Sequence, residues 1–472
     1  MSIFEYFLVF LIFNSFLFMI VRYIDQVQKE SKRVLEFQAN HDQLTALPNR
    51  YYLEMCFPLW QERIGDRYSV FYLDMDNFKI INDRYGHSVG DAILVELARR
   101  LQSSCPEDTI VVRQGGDEFI MLAPYCDIKK LHQFAEIIIS QLNKTIRIES
   151  LEFSLSGSIG VAISDRHNHA LGELLQKADL AMYEAKRARS GFAFFSDKLQ
   201  QISNERAFIE GALRNAMTNN QMYMVYQPQI HAESGLVVGV EALIRWIHPL
   251  RGMVPPDRFI PVAESSGQIN AIGDFVIDTS FREISEIHSS YRSLRISVNV
   301  SVRQLLNEQF QSYLNSKSTE YGISPTNIVI EITESLFIED LEQIYNLLMQ
   351  IRNNGYNISL DDFGTGYSSL NVLRKLPINE IKVDKSFVHD ILIDSQDNAL
   401  IRSIIGIGRS LNIPTLAEGV EELEQVLSLK TYGCELFQGY FFAKPMNIEN
   451  LKNYLIHFTP YEYQTSQEIV DD

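Results

Sequence analysis

The C-terminal half of the chain repeats one pattern, an apolar strand-like run that ends on a polar residue, and this repeat constrains the fold most. From residue 221 onward eight such runs recur, separated mostly by segments long enough to form helices. They are MYMVYQ, LVVGVE, RISVNV, NIVIE, NISLDD, EIKVD, IPTLAE and ELFQ. A (β/α)8 barrel produces this pattern, because its functional residues stand at the carboxyl ends of its strands. The pattern therefore predicts a TIM-like barrel over residues 218–456, with a site on its top face.

The polar residues at the ends of these runs indicate a metal site. A side chain that caps a loop explains any one of them equally well, but it does not explain their recurrence. Carboxylates crowded at one mouth repel one another unless cations neutralise them, so we expect one or two divalent ions with oxygen ligands. Two ions bridged by Asp361 would suit hydrolysis of a phosphodiester.

The same region resembles the EAL family of cyclic di-GMP phosphodiesterases, through the ordered motifs EALIRW, VNVS, EITES, DDFGTGYSSL, IKVDKSF, AEGVE and FQGYFFAKP. The resemblance implies two Mg²⁺ or Mn²⁺ ions, the first held by Glu241, Asn299, Glu331 and Asp361 and the second by Asp361, Asp362 and Glu418. It implies that Lys382 positions the attacking water, with Glu241 and Glu418 also catalytic. The residues implied to contact the nucleotide or support its site are Gln227, Arg245 and Gln438, and those implied to steady the DDFGTGYSS loop are Glu334 and Glu421.

A second set of carboxylates occurs within residues 41–196, a region whose order of strands and helices predicts a ferredoxin-like antiparallel palm. The run SVFYLDMD brings Asp74 to the end of a strand, and TIVVRQGGDEFIMLAP indicates two strands joined at Gly115 and Gly116. Asp117 and Glu118 follow this turn directly, so Asp74 and Glu118 are placed to share a divalent ion against a triphosphate. On pattern alone, such a turn is more often structural than catalytic.

This region resembles the GGDEF family of diguanylate cyclases through HDQLTALPNR, DMDNFKIINDRYGHSVGD, RQGGDEF and KADLAMYEAK. The resemblance implies Mg²⁺ on Asp74 and Glu118, with Asp117 and Glu118 catalytic. It implies that Asn82 and Asp91 read the guanine of GTP and that Phe78, Lys79 and Lys186 lie near its phosphates. Because each domain binds one GTP, synthesis of cyclic di-GMP implies a homodimer. Two positions depart from the family pattern: residues 106–109 replace an inhibitory R-x-x-D motif, and Ser190 stands where an arginine is common.

The N-terminal segment predicts a membrane anchor. Residues 3–21 are apolar except for Glu5, Asn14 and Ser15, and as a helix they would extend about 28 Å, nearly the thickness of a bilayer core. Arg22 and further basic residues follow, so the positive-inside rule places the rest of the chain in the cytoplasm. We therefore expect a single-pass protein of the bacterial inner membrane. Residues 22–40 predict a helical linker, either a short parallel coiled coil or a solvated spacer.

The overall composition limits the remaining possibilities. Lys and Arg number 42 against 60 Asp and Glu, and the resulting net charge of -18 argues against binding of a nucleic acid polymer. Residues 197–217 predict a linker helix, and residues 457–472 form an acidic tail. We expect an enzyme of cyclic di-GMP turnover that hydrolyses cyclic di-GMP to linear pGpG and also makes it from GTP. A phosphodiesterase with a regulatory, GTP-binding GGDEF domain and a non-catalytic cyclic di-GMP receptor are the alternatives.

Overall fold

The computed structural model describes residues 3–148, 150–165, 170–288, 290–334, 341–364 and 370–462, without the side chains of residues 3–13, 15, 370 and 371. The chain divides into two compact units, Met1–Glu205 and Arg206–Asp472. Each unit buries its own apolar core.

A long helix, α1 (Ile3–Asn40), begins the first unit. Its apolar side chains Ile24, Val27 and Val34, on the predicted coiled-coil seam, are exposed. Over the described part of the chain, no helix is both long enough and apolar enough to cross a membrane. Most of the predicted span, residues 3–21, lies outside the described side chains, so the anchor stays a prediction.

A sheet flanked by helices forms the rest of the first unit. Its elements are α2 (Arg50–Ile64), β1 (Ser69–Met75), α3 (Phe78–Tyr85), α4 (His87–Ser104), β2 (Ile110–Gly115), β3 (Glu118–Ala123), α5 (Ile128–Asn143), β4 (Ile146–Ile148), β5 (Leu151–Phe153), β6 (Gly157–Ile163), α6 (Leu171–Ala188) and β7 (Phe192–Phe194). Within the described residues the sheet has the order β2-β3-β1-β6-β7, and β4 pairs with β5 in a separate hairpin.

The side chains of β1 alternate between two apolar clusters, which explains why this strand is buried on both faces. Phe71 and Leu73 belong to one cluster, and Val70 and Tyr72 belong to the other. The strand pairs antiparallel with β3 and β6, as the predicted palm requires. The prediction is wrong at the edge, where β7 runs parallel to β6. The reason is that α6 forms a crossover between these two strands, and a crossover of this kind joins parallel neighbours.

Helix α7 (Asp197–Ala216) leads into the second unit. The strands that follow are β8 (Met222–His231), β9 (Val237–His248), β10 (Gly252–Val254), β11 (Arg295–Asn299), β12 (Ile328–Thr333), β13 (Asn357–Phe363), β14 (Glu380–Val383), β15 (Thr415–Ala417) and β16 (Leu436–Phe437). The helices between and after them are α8 (Pro256–Ser266), α9 (Ile269–His288), α10 (Val302–Leu305), α11 (Phe310–Glu320), α12 (Leu341–Asn353), α13 (Leu370–Leu373), α14 (Lys385–Asp390), α15 (Ser395–Leu411), α16 (Leu423–Tyr432) and α17 (Ile448–Ile456), with a 3₁₀ turn at Pro325–Asn327.

Eight of these described strands close into a barrel, in agreement with a TIM-like fold. Strands β9 and β11 to β16 are parallel neighbours, and β8 closes the ring between β16 and β9. The expectation of a regular (β/α)8 barrel is wrong for β8, which runs antiparallel to both of its neighbours. Residues 232–236 join β8 to β9, and so short a connection permits only a hairpin. Because β8 continues to His231, Gln227 lies within this strand and not at its carboxyl end, where the sequence pattern had placed it.

Candidate active sites

Lys382 on β14 lies at the centre of the barrel site. Its side chain is 0% exposed, and its Nζ lies 2.6 Å from a carboxylate oxygen of Glu418, 2.9 Å from Glu331, 3.2 Å from Asp361 and 3.6 Å from Glu241. These four acids belong to β9, β12, β13 and the residue after β15. Parallel strands present their carboxyl ends at one mouth, so residues far apart in sequence converge on a single ammonium group.

Asp361 and Asp362 are consecutive, yet both contribute to this site. Successive side chains of a regular strand point to opposite faces. The pairing of β13 with β14 shifts register between Leu360 and Phe363, and Asp362 adopts a left-handed backbone with φ of 56°. A bulge of this kind redirects a side chain, and carboxylate oxygens of Asp361, Asp362 and Glu418 consequently lie within 4.8 Å of one another.

Burial and mutual repulsion govern the ionisation of these groups. Burial raises the pKa of Glu418 to about 8 despite the opposing effect of Lys382, and burial together with Asp361 and Asp384 raises the pKa of Asp362 to about 6. The pKa of Glu331 also lies well above its usual value, mainly through burial. For Lys382 burial acts in the opposite direction, but the surrounding carboxylates raise its pKa well above that of a free lysine. The site therefore holds a charged ammonium close to three acids, Glu331, Asp362 and Glu418, whose ionisation is opposed by burial.

This donor set fits divalent cations. Oε1 of Glu331 is buried and has no hydrogen-bond partner within the described part of the chain. Lys382 supplies one positive charge within reach of four acids, so ionisation of the whole set leaves an excess of negative charge. Hard ions such as Mg²⁺ and Mn²⁺ take oxygen ligands of this type. The residues predicted as metal ligands are thus chemically suited to that role.

Two side-chain amides also hold Glu241. Asn299 Nδ2 donates to Glu241 Oε1 at 2.7 Å, and Gln438 Nε2 donates to Glu241 Oε2 at 2.5 Å. Gln438 Nε2 also donates to Gln227 Oε1 at 3.2 Å, while its Oε1 accepts from Gln229 Nε2 at 3.1 Å. Burial would raise the pKa of Glu241, but Lys382 and these amide donors hold that pKa below its usual value.

A cavity of about 250 Å³ adjoins the carboxylates, and its lining includes Arg245, Asn299 and Glu331. Arg245 Nη1 donates to the Ile244 carbonyl at 2.9 Å, which holds the guanidinium at the cavity wall. The rest of the lining is mostly apolar but also contains Glu264, Ser301, Gln304 and Thr333, and such a mixture is typical of a small-molecule site.

The first unit has a smaller acidic site at the ends of β1 and β3. Asp74 pairs in register with Glu118, and the Lys186 ammonium on α6 forms an ion pair with Asp74. The hydroxyl of Tyr72 donates to Glu118 Oε2 at 2.9 Å. Burial and the Asp74 carboxylate raise the pKa of Asp117, although Lys186 opposes this. Three acids are thus gathered beside one exposed lysine.

Arg113 fixes the turn that carries two of these acids. Gly116, with φ of 51°, adopts the left-handed backbone that this tight turn requires. The Arg113 guanidinium donates to the Gly116 carbonyl at 2.7 and 3.1 Å and pairs with Asp42 Oδ1 at 2.7 Å. The turn is therefore tied to the segment before α2.

Comparisons with known proteins identify the two domains that hold these sites. Residues 39–191 match the family described as "Diguanylate cyclase, GGDEF domain", and residues 210–445 match the EAL domain family. The chain belongs to the tandem GGDEF–EAL family. Its relatives include the bifunctional diguanylate cyclase/cyclic di-GMP phosphodiesterase MucR of Pseudomonas aeruginosa, 35% identical over 88% of this chain and 61% of MucR. Another is the cyclic di-GMP phosphodiesterase PdeR of Escherichia coli, 36% identical over 89% of this chain and 64% of PdeR.

A solved structure supports the barrel assignment. The PaMucR phosphodiesterase in complex with c-di-GMP is 36% identical, with a TM-score of 0.50, and the match covers 52% of this chain and 99% of that structure. The chain thus spans less than two thirds of the length of MucR and PdeR, and nearly all of this solved domain.

Most of the residues that we predicted for the EAL site lie together around Lys382. Glu334 lies farther out, where its Oε2 accepts from the Gly364 backbone at 3.1 Å. Glu421 contacts Gln425 through its backbone, its N–H donating to Gln425 Oε1 at 2.8 Å. The remainder of the loop that these two acids were expected to steady, residues 365–369, lies outside the described residues, so that prediction is untested.

The predicted nucleotide residues of the GGDEF domain lie on α3, α4 and α6. Phe78 is buried, Lys79 and Asp91 are exposed, and Asn82 is half-buried. Asn82 packs against Gly90, the neighbour of Asp91, so the two predicted guanine-reading residues are close in space. No contact within the described part of the chain shows which ligand Asn82 and Asp91 bind.

Our sequence reasoning missed two groups of the EAL and GGDEF sites. Gln229 belongs to the amide network, and its position two residues after Gln227 on the same strand was the available signal. Tyr72 lies two residues before Asp74 in the same way. Alternation along a known strand would have found both.

Proposed function

We propose that the EAL domain hydrolyses cyclic di-GMP to linear pGpG. The observation that carries this proposal is the buried Lys382 ammonium among four carboxylates, one of which, Glu331, keeps an unpartnered buried oxygen. The match to cyclic di-GMP phosphodiesterases supports the choice of substrate. Water would add to one phosphorus and the ribose O3′ would leave, opening the ring and leaving a 5′ phosphate.

Some residues of the site would bind the metal ions, and others would contact the water or the nucleotide. Glu241, Asn299, Glu331 and Asp361 would hold one divalent ion, and Asp361, Asp362 and Glu418 would hold a second. Such ions, when bound, activate water and stabilise charge on the phosphoryl oxygens. Lys382 remains protonated and would orient the attacking water as a hydrogen-bond donor. Gln227 and Arg245 would contact the nucleotide beside the cavity, and Gln438 would keep Glu241 in place.

The test is a hydrolysis assay with two matched carboxylate variants. Purified full-length chain, with Mg²⁺ and cyclic di-GMP, should yield pGpG on anion-exchange chromatography. Asp361→Asn should yield none, because both proposed metal positions lose a charged ligand. Asp274→Asn, which changes an exposed acid on α9, should behave as the unmodified protein. Binding of cyclic di-GMP by the unmodified protein without any cleavage would contradict the proposal and favour a receptor.

We propose further that the GGDEF domain joins two GTP molecules into cyclic di-GMP, with Mg²⁺ on Asp74 and Glu118 and two copies of the chain face to face. The clustering of Asp74, Glu118, Asp117 and Lys186 supports this activity. The alternative, a regulatory domain that binds GTP without reacting, is favoured by Ser190, which stands where the family often has an arginine and whose hydroxyl donates to the backbone carbonyl of Phe192. Incubation with GTP alone decides between them, because only a cyclase accumulates cyclic di-GMP or pGpG.

The location of the protein is a separate proposal that rests on the amino-acid sequence. We propose that residues 3–21 anchor the chain in the inner membrane with both enzymatic domains in the cytoplasm. Membrane fractionation tests this proposal: the full chain should sediment with membranes, and a chain that begins near Glu36 should not.

A further inference from the structure

We propose that Gln229 is a positioning residue for the EAL site, and that it acts by fixing the side-chain amide of Gln438, which in turn holds Glu241. This inference rests on the proposed function, since it concerns the metal-binding carboxylate of that site. Gln229 is 0% exposed and lies on β8, on the face that carries Gln227. It pairs in register with Gly239, two residues before Glu241, so it lies one layer beneath the carboxylates.

The amide of Gln438 has three partners, and they require one orientation. Its Nε2 donates to Glu241 Oε2 at 2.5 Å and to Gln227 Oε1 at 3.2 Å. Its Oε1 accepts from Gln229 Nε2 at 3.1 Å. The terminal torsion of glutamine has a broad, roughly twofold profile, so the partners determine which end faces Glu241. Rotation by half a turn would set the Gln438 oxygen against a carboxylate oxygen.

Of these three partners, Gln229 is the donor to the Gln438 oxygen. Without that donor, the oxygen would be buried and unsatisfied in the orientation that serves Glu241. A buried acceptor that loses its partner is unfavourable, so the amide would rotate or shift towards another donor. Glu241 would then lose the hydrogen bond that aligns one of its two oxygens. The expected consequence is a less well oriented metal ligand.

Gln229 is itself held by close packing against the neighbouring strand. A Cβ placed on Gly239 would lie 2.8 Å from Gln229 Oε1, so the glycine leaves the space that this amide occupies. Gln229 Nε2 also lies 3.5 Å from Ser297 Oγ, at the limit of a hydrogen bond. Gly239 and Ser297 therefore hold Gln229 in place, Gln229 orients Gln438, and Gln438 aligns Glu241.

The experiment is a double-mutant cycle on the full-length chain, with Gln229→Met, Gln438→Met and the combined variant. Methionine keeps the length of glutamine but offers no N–H donor. All proteins carry Glu118→Gln, so that the GGDEF domain contributes no comparable metal site. The first readout is Mn²⁺ affinity, measured from the electron paramagnetic resonance signal of the free ion. The second is kcat and KM for cyclic di-GMP.

Gln229→Met should weaken Mn²⁺ binding by roughly tenfold, the size of effect that partners of metal ligands usually have, with KM for cyclic di-GMP unchanged. Because Gln229 acts through Gln438, the combined variant should be no weaker than Gln438→Met alone. Unchanged Mn²⁺ affinity in Gln229→Met, or losses that multiply in the combined variant, would overturn the inference.

Tyr226→Phe is the matched control for general loosening of β8. Tyr226 is the neighbour of Gln227 on the opposite face of the strand, and its hydroxyl donates to Glu283 at 2.8 Å. This control should keep normal Mn²⁺ affinity, and an equal loss in it would overturn the positioning role. If Mn²⁺ binding depends on Gln229 but cyclic di-GMP is never cleaved, the proposed function fails and the inference about the metal ligand stands.

Discussion

Lys382→Met should destabilise the metal-free EAL barrel strongly, because it removes the only ammonium contacting four buried or partly buried carboxylates in the described structure. Loss of one partner from a buried ion pair costs about 3–5 kcal/mol. Burial raises the pKa of Glu418 to about 8 and that of Glu331 well above its usual value, so both carboxyls favour the protonated form and fewer charges lose a partner when the lysine is removed. We therefore expect the low end of that range, about 3 kcal/mol of unfolding free energy.

Differential scanning calorimetry of the full chain measures this loss. For a domain of this size, 1 kcal/mol shifts Tm by about 2–4 °C, so the barrel transition should fall by roughly 6–12 °C in EDTA. Saturating Mg²⁺ should reduce the difference, because bound cations neutralise the same carboxylates and stabilise the folded state by mass action. Lys382→Met should not hydrolyse cyclic di-GMP even in saturating Mg²⁺, since the metal cannot replace the lysine as a hydrogen-bond donor.

Lys452→Met is the control for removing an ammonium that bridges two acids at the surface. Lys452 Nζ lies 2.7 Å from Glu286 and 3.1 Å from Glu449. Surface pairs of this kind contribute little, so Tm should barely change. Equal unfolding temperatures for the two variants in EDTA would refute the argument that buried charge balance stabilises the barrel.

Three further predictions concern single acids. Glu241→Ala should lower hydrolysis by roughly a hundredfold or more, and near-normal pGpG formation would remove Glu241 from the metal site. Glu118→Gln should abolish synthesis from GTP and leave hydrolysis of added cyclic di-GMP unchanged, which chromatography of both reactions can show. The pKa of Asp42 is lowered from 3.8, since hydrogen bonds from Thr45 and Arg113 outweigh burial. Its charged form therefore adds stability above about pH 4 that is lost as pH falls through the lowered pKa. Asp42→Asn should lower Tm at pH 7, and by much less near pH 3; an equal loss at both would contradict this.

The fold and most of the EAL site follow from one regularity in the amino-acid sequence. Glu331, Lys382 and Glu418 each end or follow a buried run, and parallel pairing then brings such residues to one mouth. The reversed direction of β8 was not predicted, because an apolar run ending on glutamine looks the same in either direction. The short connection at residues 232–236 was the feature of the sequence that could have predicted an antiparallel hairpin.

Other details depend on the backbone and on tertiary packing, which local patterns do not encode. The left-handed conformation of Asp362 arises at a shift in strand register, and two consecutive aspartates in a sequence do not predict such a shift. The role of Arg113 in holding the GG turn needs the position of Asp42, 71 residues earlier in the chain. Pairing over that distance follows from the folded topology and not from local sequence.

The reversed strand also determines in what order the barrel can be assembled. The β8–β9 hairpin is local in sequence, so Gln227 and Glu241 can meet as soon as the first strands emerge from the ribosome. The ring closes only when β16 pairs with β8, some 200 residues later, through the two pairs Leu436–His231 and Phe437–Ile230. Until then β8 and β15 remain open edges able to pair with other chains. We therefore expect chains truncated before residue 434 to aggregate during synthesis, even though every carboxylate proposed for the EAL site is already present.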